Sequence, residues 1–253
     1  MTVCVDLTGR TVFITGASSG LGERFARIAV ASGARVVAAA RRIDRLQALA
    51  AELGPALLPV AMDVGDEAST IAAFDAAEAA FGGVDSVIAN AGSGTEGTML
   101  QMSVADFDGL TAVNLRGAFL TAREAARRMI AAGSKQRQHG RIVLIASITA
   151  VQVSPGLGTY SATKAGVTAM GKVMAREWAR LGIAVNMIAP GYIRTEINAD
   201  WFETDAGQRQ IAGFPRRRLL AIEELDAVAL YLASDACRGV TGSVFTVDDG
   251  QSG

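Results

Sequence analysis

The chain is poor in the residues that usually announce a metal or disulfide protein, with one histidine and two cysteines. Cys4 and Cys237 lie too far apart to suggest a disulfide framework or the close ligand spacing of a zinc site. No metal is therefore expected. A basic excess is missing too: 24 Lys and Arg stand against 25 Asp and Glu, for a net charge of −1. That balance argues against the electrostatic footprint of a general nucleic-acid binder. No apolar run reaches the roughly 18 residues of a spanning helix, and the opening Met-Thr-Val-Cys-Val-Asp has no basic region followed by an apolar stretch. The expectation is a cytoplasmic protein with neither nucleic acid nor membrane as partner. The densest basic cluster, Arg216-Arg217-Arg218, reads as a solvated or packing loop, with phosphate or partner binding as the alternative.

Aromatic residues make up only 6% of the chain, yet half of its residues are hydrophobic. The core must then be built from Ala, Val, Ile and Leu. Over 253 residues, short β-rich runs alternate with longer Ala- and Leu-rich segments. Strands are expected at 11–15, 35–39, 57–62, 84–89, 141–145, 184–188 and 244–247. They lack strict polar alternation, as suits strands covered on both faces. Helices are expected at 21–31, 44–53, 66–81, 104–131, 159–181 and 222–233, with Asp66 capping the third. Such alternation implies parallel strands joined by right-handed crossovers, hence one α/β domain of the Rossmann type: a doubly wound sheet with helices on both faces. Two stretches interrupt the pattern. Residues 133–140, which hold the lone His139, read as a surface loop, with a catalytic role for His139 as the lesser alternative. Residues 190–215, with Tyr192, Trp201 and Phe214, read as a long loop of the kind that often forms a functional lid.

The first strand runs into Thr15-Gly16-Ala17-Ser18-Ser19-Gly20-Leu21-Gly22 and then a helix. A strand–turn–helix of this kind aims free backbone N–H groups and the positive helix end at one point, where a pyrophosphate fits. The spacing G-x-x-x-G-x-G differs from the commoner G-x-G-x-x-G, and glycines also serve ordinary turns. Its place at the opening of the first βα unit favours dinucleotide binding, with Gly16, Ser18, Ser19, Gly20, Leu21 and Gly22 at the cofactor.

Tyr160 and Lys164, four apart at the start of an expected helix, stack on one face. A free tyrosine titrates near about 10, and a neighbouring ammonium favours the phenolate. The phenol could then exchange a proton with a substrate oxygen. Taken alone, such a pair is common on surface helices. Context strengthens it, because Ser147 follows the 141–145 strand at the carboxyl edge where doubly wound sheets bind ligands. Asn114 falls inside the 104–131 helix, where a buried amide needs partners.

Together these residues resemble the short-chain dehydrogenase/reductase family, nearly end to end. The glycine turn fits the family's form, and Asn90-Ala91-Gly92 matches its motif after the fourth strand, although Ala89 replaces a common Asn. Asn114, Ser147, Tyr160 and Lys164 match its four catalytic positions. Asn186, Pro190, Gly191, Ile193 and Thr195 match the segment that closes over the nicotinamide. The resemblance implies that Tyr160 is general acid in reduction and base in oxidation, and that Ser147 positions the substrate oxygen. Lys164 would bind the nicotinamide ribose and depress the Tyr160 pKa, and Asn114 would hold a water that links Lys164 to solvent. Asp63 and Val64 would meet the adenine, although a turn role for Asp63 is also open.

At the end of the second strand, Ala38-Ala39-Ala40-Arg41-Arg42 offers no carboxylate to bind a ribose 2′-hydroxyl, and an arginine can meet a 2′-phosphate bidentately. NADP(H) is therefore favoured, with NAD(H) possible if Arg41 and Arg42 are only solvated residues before a helix capped by Asp44. The substrate wall is expected from 93–97, 149–157 and 190–215, with Val151, Val153, Leu157, Trp201 and Phe214 making it apolar. A neutral, hydrophobic alcohol or ketone follows, handled by a carbonyl reductase or alcohol dehydrogenase. The alternatives are an NAD-dependent dehydrogenase of a hydroxy compound, another reaction on the same scaffold, or a non-catalytic nicotinamide-binding regulator. Ala122, Ala125, Ala126 and Met129 could serve a helix–helix interface or simply pack on the sheet. The resemblance implies a homotetramer or homodimer, with 244–253 at a second interface, although Asp248-Asp249-Gly250 departs from the family's Asp-Gly-Gly.

Overall fold

The computed structural model describes residues 5–94, 97–196 and 198–253; Cys4 lies outside them. Seven strands form one parallel sheet in the order β3-β2-β1-β4-β5-β6-β7. They are β1 (Thr11–Thr15), β2 (Arg35–Ala40), β3 (Leu57–Ala61), β4 (Ser86–Ala89), β5 (Gly140–Ile145), β6 (Ile183–Pro190) and β7 (Val244–Val247). Every residue of β1, β4, β5 and β6 is buried, as continuous apolar runs require when helices cover both faces. The strand order reverses between β1 and β4, which pair through Val12↔Ser86, Phe13↔Val87 and Ile14↔Ile88. In an open α/β sheet, the crevice at the carboxyl edge beside such a reversal is where ligands bind.

One face is covered by α1 (Gly20–Ala31), α2 (Ile43–Leu53) and α10 (Asp226–Ala233), through Phe25, Leu46 and Leu232. The other carries α3 (Glu67–Phe81), α5 (Gly117–Ala131) and α7 (Gly158–Trp178), through Phe74, Ala122 and Val167. Phe13 of β1 stacks on Phe74 of α3 at 4.3 Å between ring centres. Each such side chain, fully buried, contributes roughly 1.5–3 kcal/mol. Asp66 caps α3 as expected, its carboxylate accepting from the Ser69 N–H at 2.6 Å.

Four expectations about local structure need correction. The 104–131 helix is not uniform: α4 (Val104–Thr111) passes through a π-helical turn at Ala112–Arg116 before α5 begins. Asp44 does not cap α2, because the helix already starts at Ile43 and Arg42 is its N-cap. The 190–215 stretch is not a bare loop but carries α8 (Ala199–Glu203) and α9 (Asp205–Gly213), the latter capped by Thr204, whose hydroxyl accepts from Gly207 N–H. Residues 133–140 hold a helical turn, α6 (Ser134–Arg137), and His139 there is tied to Asp85 at 2.8 Å, outside the walls of the main cavity. Ala122, Ala125, Ala126 and Met129 belong to the chain's own core, the packing alternative of the sequence reading. The Arg216–Arg218 run is anchored internally: Arg216 and Arg218 both pair with Asp249. No helix among the described residues is long and apolar enough to cross a membrane.

Candidate active site

A cavity of about 990 Å³ opens along the carboxyl edge of the sheet, and the residues that follow β1, β4, β5 and β6 form its walls. At one end lies the glycine turn. Ser19 is the N-cap of α1, but its hydroxyl makes no capping bond; it is taken by the Arg42 guanidinium at 2.6 Å. The first turn of α1 therefore keeps backbone N–H groups that no side chain satisfies, the arrangement an anion needs. Gly16 has φ +68°, and a Cβ there would stand 2.8 Å from the Ala91 Cα. A Cβ at Gly22 would fall 2.2 Å from the Gly16 carbonyl oxygen. Only glycine lets these backbones approach so closely.

Asn90 explains why the fourth-strand motif matters. Its side-chain amide donates to the Thr15 carbonyl at 2.9 Å, while the Thr15 hydroxyl accepts the N–H groups of Asn90 and Ala91 at 3.0 Å each. The two strand ends flanking the switch point are thereby locked, and the glycine turn is held open. Glycine-turn residues Gly16, Ser18, Ser19, Gly20 and Leu21 line the cavity, as do Asn90, Ala91 and Gly92. Gly22 lies behind it. Asp63 and Val64 also line it, with Asp63 closing a turn onto Gly65 N–H at 2.9 Å, so the turn role and the cavity position coexist. Arg41 and Arg42 stand at the same end, both exposed.

At the inner end, Ser147, Tyr160 and Lys164 come together. Ser147, just past β5, accepts from the Thr149 N–H at 3.1 Å and the Thr149 hydroxyl at 3.0 Å. That fixes its oxygen toward the phenol. The Lys164 ammonium donates to the Ile145 carbonyl at 2.9 Å and lies 5.6 Å from the centre of the Tyr160 ring. Asn114 is buried inside the π-helical turn, where its amide accepts from Ser93 N–H at 2.8 Å and donates to Ser93 carbonyl at 3.0 Å. A Cβ at Gly92 would be 3.5 Å from Asn114 Oδ1 and 3.6 Å from Lys164 Nζ. Asn114 and Lys164 therefore flank one glycine, and the amide has the partners that a buried helical Asn requires.

The electrostatics correct one expectation. Within the protein alone, burial pushes the Tyr160 phenol up to about 12; the neighbouring Ser147 side chain pulls it back, and Tyr192 raises it. Burial pulls the Lys164 ammonium down to about 8. The net shift of the phenol is upward rather than downward, because desolvation acts against charge on both groups at once.

The closing segment is held from below. Gln251 Oε1 accepts from Tyr192 N–H at 2.7 Å, and a Cβ at Gly191 would stand 2.5 Å from that same oxygen. Pro190, Gly191, Ile193 and Thr195 all face the cavity, and Thr195 packs across from Gly20. Asn186 does not face it: buried in β6, it binds Val240 carbonyl and Ser243 N–H, so it braces the approach to β7 instead.

The substrate wall differs in part from the sequence reading. Leu157 and Trp201 line the cavity, but Val151 and Val153 are 82% and 90% exposed and stand off its wall. Phe214 lies behind the wall, stacked on Tyr192 at 5.4 Å. Of the 93–97 stretch, Ser93, Gly94 and Gly97 line the cavity, while Thr95 and Glu96 lie outside the described residues. Sequence reasoning missed Gln101 as a lining residue; Ser154, Phe202 and Gln210 fall within the expected stretches but were not singled out, and Tyr192 was named only as part of the loop. Tyr192 was within reach, since it follows Pro190-Gly191; the others had no local signal.

The fold and this constellation define an oxidoreductase built on a dinucleotide-binding sheet. A family model described as enoyl-(acyl carrier protein) reductase matches residues 16–252. The chain belongs to the short-chain dehydrogenase/reductase family, enzymes that act on CH–OH and carbonyl groups. D-threitol dehydrogenase of Mycolicibacterium smegmatis is 35% identical over 96% of this chain and 93% of that protein. A gluconate 5-dehydrogenase from Burkholderia cenocepacia, solved with NADP and tartrate, superposes with a TM-score of 0.92 at 34% identity, over 98% of this chain and 97% of that one. A 3-ketoacyl-(acyl-carrier-protein) reductase from Brucella melitensis, solved with NADH, gives 0.90 at 33% identity, over 98% and 100%.

Proposed function

We propose that the chain is an NADP(H)-preferring reductase and dehydrogenase that interconverts a neutral secondary alcohol and its ketone. One observation carries this reading: a single cavity joins the glycine turn and Arg41 and Arg42 at one end to Ser147, Tyr160 and Lys164 at the other. The dinucleotide, when bound, supplies or accepts the hydride; the chain supplies position and proton. The free N–H groups at the start of α1 would hold its pyrophosphate, and the exposed arginines would hold a 2′-phosphate. Ser147 orients the substrate oxygen. In reduction, Tyr160 donates its phenolic proton to that oxygen, and the Lys164 charge stabilises the phenolate left behind. In oxidation the same proton returns. A phenol held near 12 keeps its proton at neutral pH, so the resting site holds the protonated form that reduction starts from, and giving that proton up depends on the Lys164 charge.

The neutral substrate rests on the lining of the inner end, where Leu157, Trp201 and Phe202 mix with Gln101, Ser154 and Gln210. Apart from Lys164, which is committed to catalysis, these described residues offer no cation to clamp an acid. A second reading, NAD(H) use, is favoured by one observation: Arg42 already spends its guanidinium on Ser18, Ser19 and Glu196. We also propose a homotetramer, supported by Phe107, Phe119 and Val173, which stand partly exposed on α4, α5 and α7.

The test is consumption of NADPH against NADH with a panel of neutral ketones and keto acids. Faster turnover with NADPH and neutral ketones supports the reading. Equal or faster rates with NADH overturn the cofactor preference, and a clear preference for keto acids overturns the neutral substrate.

A further inference from the structure

Glu196 reaches across the mouth of the cofactor cleft. It sits one residue past Thr195, on the segment that follows β6, and it binds two arginines from the opposite wall. Its Oε2 lies 2.9 Å from Arg42 Nη1, and its Oε1 lies 2.5 Å from Arg45 Nη1. Arg42 in turn donates from Nε to Ser18 Oγ at 3.1 Å and from Nη2 to Ser19 Oγ at 2.6 Å. Every nitrogen of the Arg42 guanidinium thus has a partner, and the partner on its outer edge is a carboxylate. The two arginines hold the Glu196 carboxyl well below its ordinary range, at about 2, with Arg45 the larger influence. It is therefore an anion at any working pH.

This carboxylate occupies the arginine edge that a 2′-phosphate would need, because carboxylate and phosphate bind the same fork of donors. A phosphate approaching the end of β2 also meets the Glu196 charge itself. Both effects act only on the phosphorylated dinucleotide, since an unmodified ribose needs no arginine. The ion pairs are exposed, and such pairs are weak enough to be displaced. Glu196 would therefore tune the choice of cofactor without forbidding either form.

Resting on the reading that Arg41 and Arg42 receive the 2′-phosphate, we propose that Glu196 is a cofactor-selecting residue that competes with that phosphate for Arg42 and Arg45. Its removal strengthens binding of NADP and leaves binding of NAD unchanged.

The experiment is calorimetric titration of NADP and of NAD into the full chain, the Glu196→Gln variant, Arg42→Ala, and the double variant. Glu196→Gln is expected to bind NADP about three- to tenfold more tightly, with NAD affinity unchanged within about twofold. The gain should vanish when Arg42→Ala is already present. Tightening of both dinucleotides alike, or of neither, overturns the proposal. The two readings fail in different ways. A wild-type chain that prefers NADP, with a ratio that Glu196→Gln leaves unchanged, removes only the role of Glu196. A chain that binds both dinucleotides equally, with or without Glu196, removes the 2′-phosphate site as well.

Discussion

Lys164 and Tyr160 share one face of α7, yet the ammonium gives its hydrogen bond to the Ile145 carbonyl at 2.9 Å and stands 5.6 Å from the phenol ring centre. The lysine is thus anchored to the end of β5, at a fixed distance from the phenol. It does not need a direct bond to act on Tyr160. On the proposed mechanism its charge stabilises the phenolate at the moment the proton leaves.

Tyr160→Phe removes the donor and keeps the ring. Turnover should fall by about 10²–10⁴-fold, the usual share of general acid–base catalysis. Dinucleotide affinity, read by fluorescence titration, should stay within about twofold. A variant that keeps wild-type turnover would take Tyr160 out of the mechanism.

The pH profile of ketone reduction should be set by Lys164. Tyr160, pushed up to about 12, keeps its proton through the measurable range, whereas Lys164 loses its own above about 8. Once neutral, the lysine no longer supports the phenolate. The kcat/KM for reduction is expected to be level from neutrality to about pH 8 and to fall beyond it. A profile still level two pH units higher would contradict this assignment.

Lys164→Met should separate stability from activity. The folded pKa lies below its unfolded value of 10.5, so burial of the charged form opposes folding. That cost is full below about pH 8, fades between 8 and 10.5, and is absent above. Replacing the ammonium with an apolar group should therefore stabilise the fold at neutral pH, by on the order of 1–3 kcal/mol, while activity is lost. The gain should shrink toward pH 10.5. Chemical denaturation at two pH values measures it.

Asn90→Ala should loosen the glycine turn from below. It deletes the bond to the Thr15 carbonyl, at a cost of about 1–2 kcal/mol. Dinucleotide affinity should drop while the ketone KM at saturating cofactor changes little. Equal loss on both would place Asn90 at the substrate instead.

Gly191→Ala would drive a methyl group into Gln251 Oε1, 2.5 Å away, and break the bond that steadies Tyr192. The KM for dinucleotide should rise about tenfold, and a second change, Gln251→Ala, should recover part of it by making room. No recovery would mean that the Asp248 backbone, 2.8 Å from the same point, is the harder obstacle.

Much of the fold was legible because a parallel sheet buried on both faces leaves few choices. The strands at 11–15 and 244–247 match to the residue, and β5 and β6 begin one residue earlier than expected. The candidate residues at the cavity's glycine turn and inner end were legible because strand ends and glycine turns leave local marks. Three things were not. The π-helical turn at Asn114 is one backbone residue out of phase, and no side-chain pattern marks such an insertion. The helices α8 and α9 are too short for periodicity to show, although Thr204 ahead of Gly207 carried a readable cap. The inner wall depends on which loop residues fold inward: Ser154 does, while Val153, its neighbour, points to solvent. That choice is tertiary.

The π-helical turn has a mechanical consequence. Each α-helical residue advances its side chain by about 100°, so an extra residue at Ala112–Arg116 offsets everything downstream by roughly that angle. The turn can then aim Asn114 at Ser93 and Thr163, while the downstream half keeps Ala122, Ala125 and Met129 seated on the strands. Deleting one residue there would straighten the backbone and rotate the gripping surface off its track. At this point the rod tolerates a changed letter far better than a changed length.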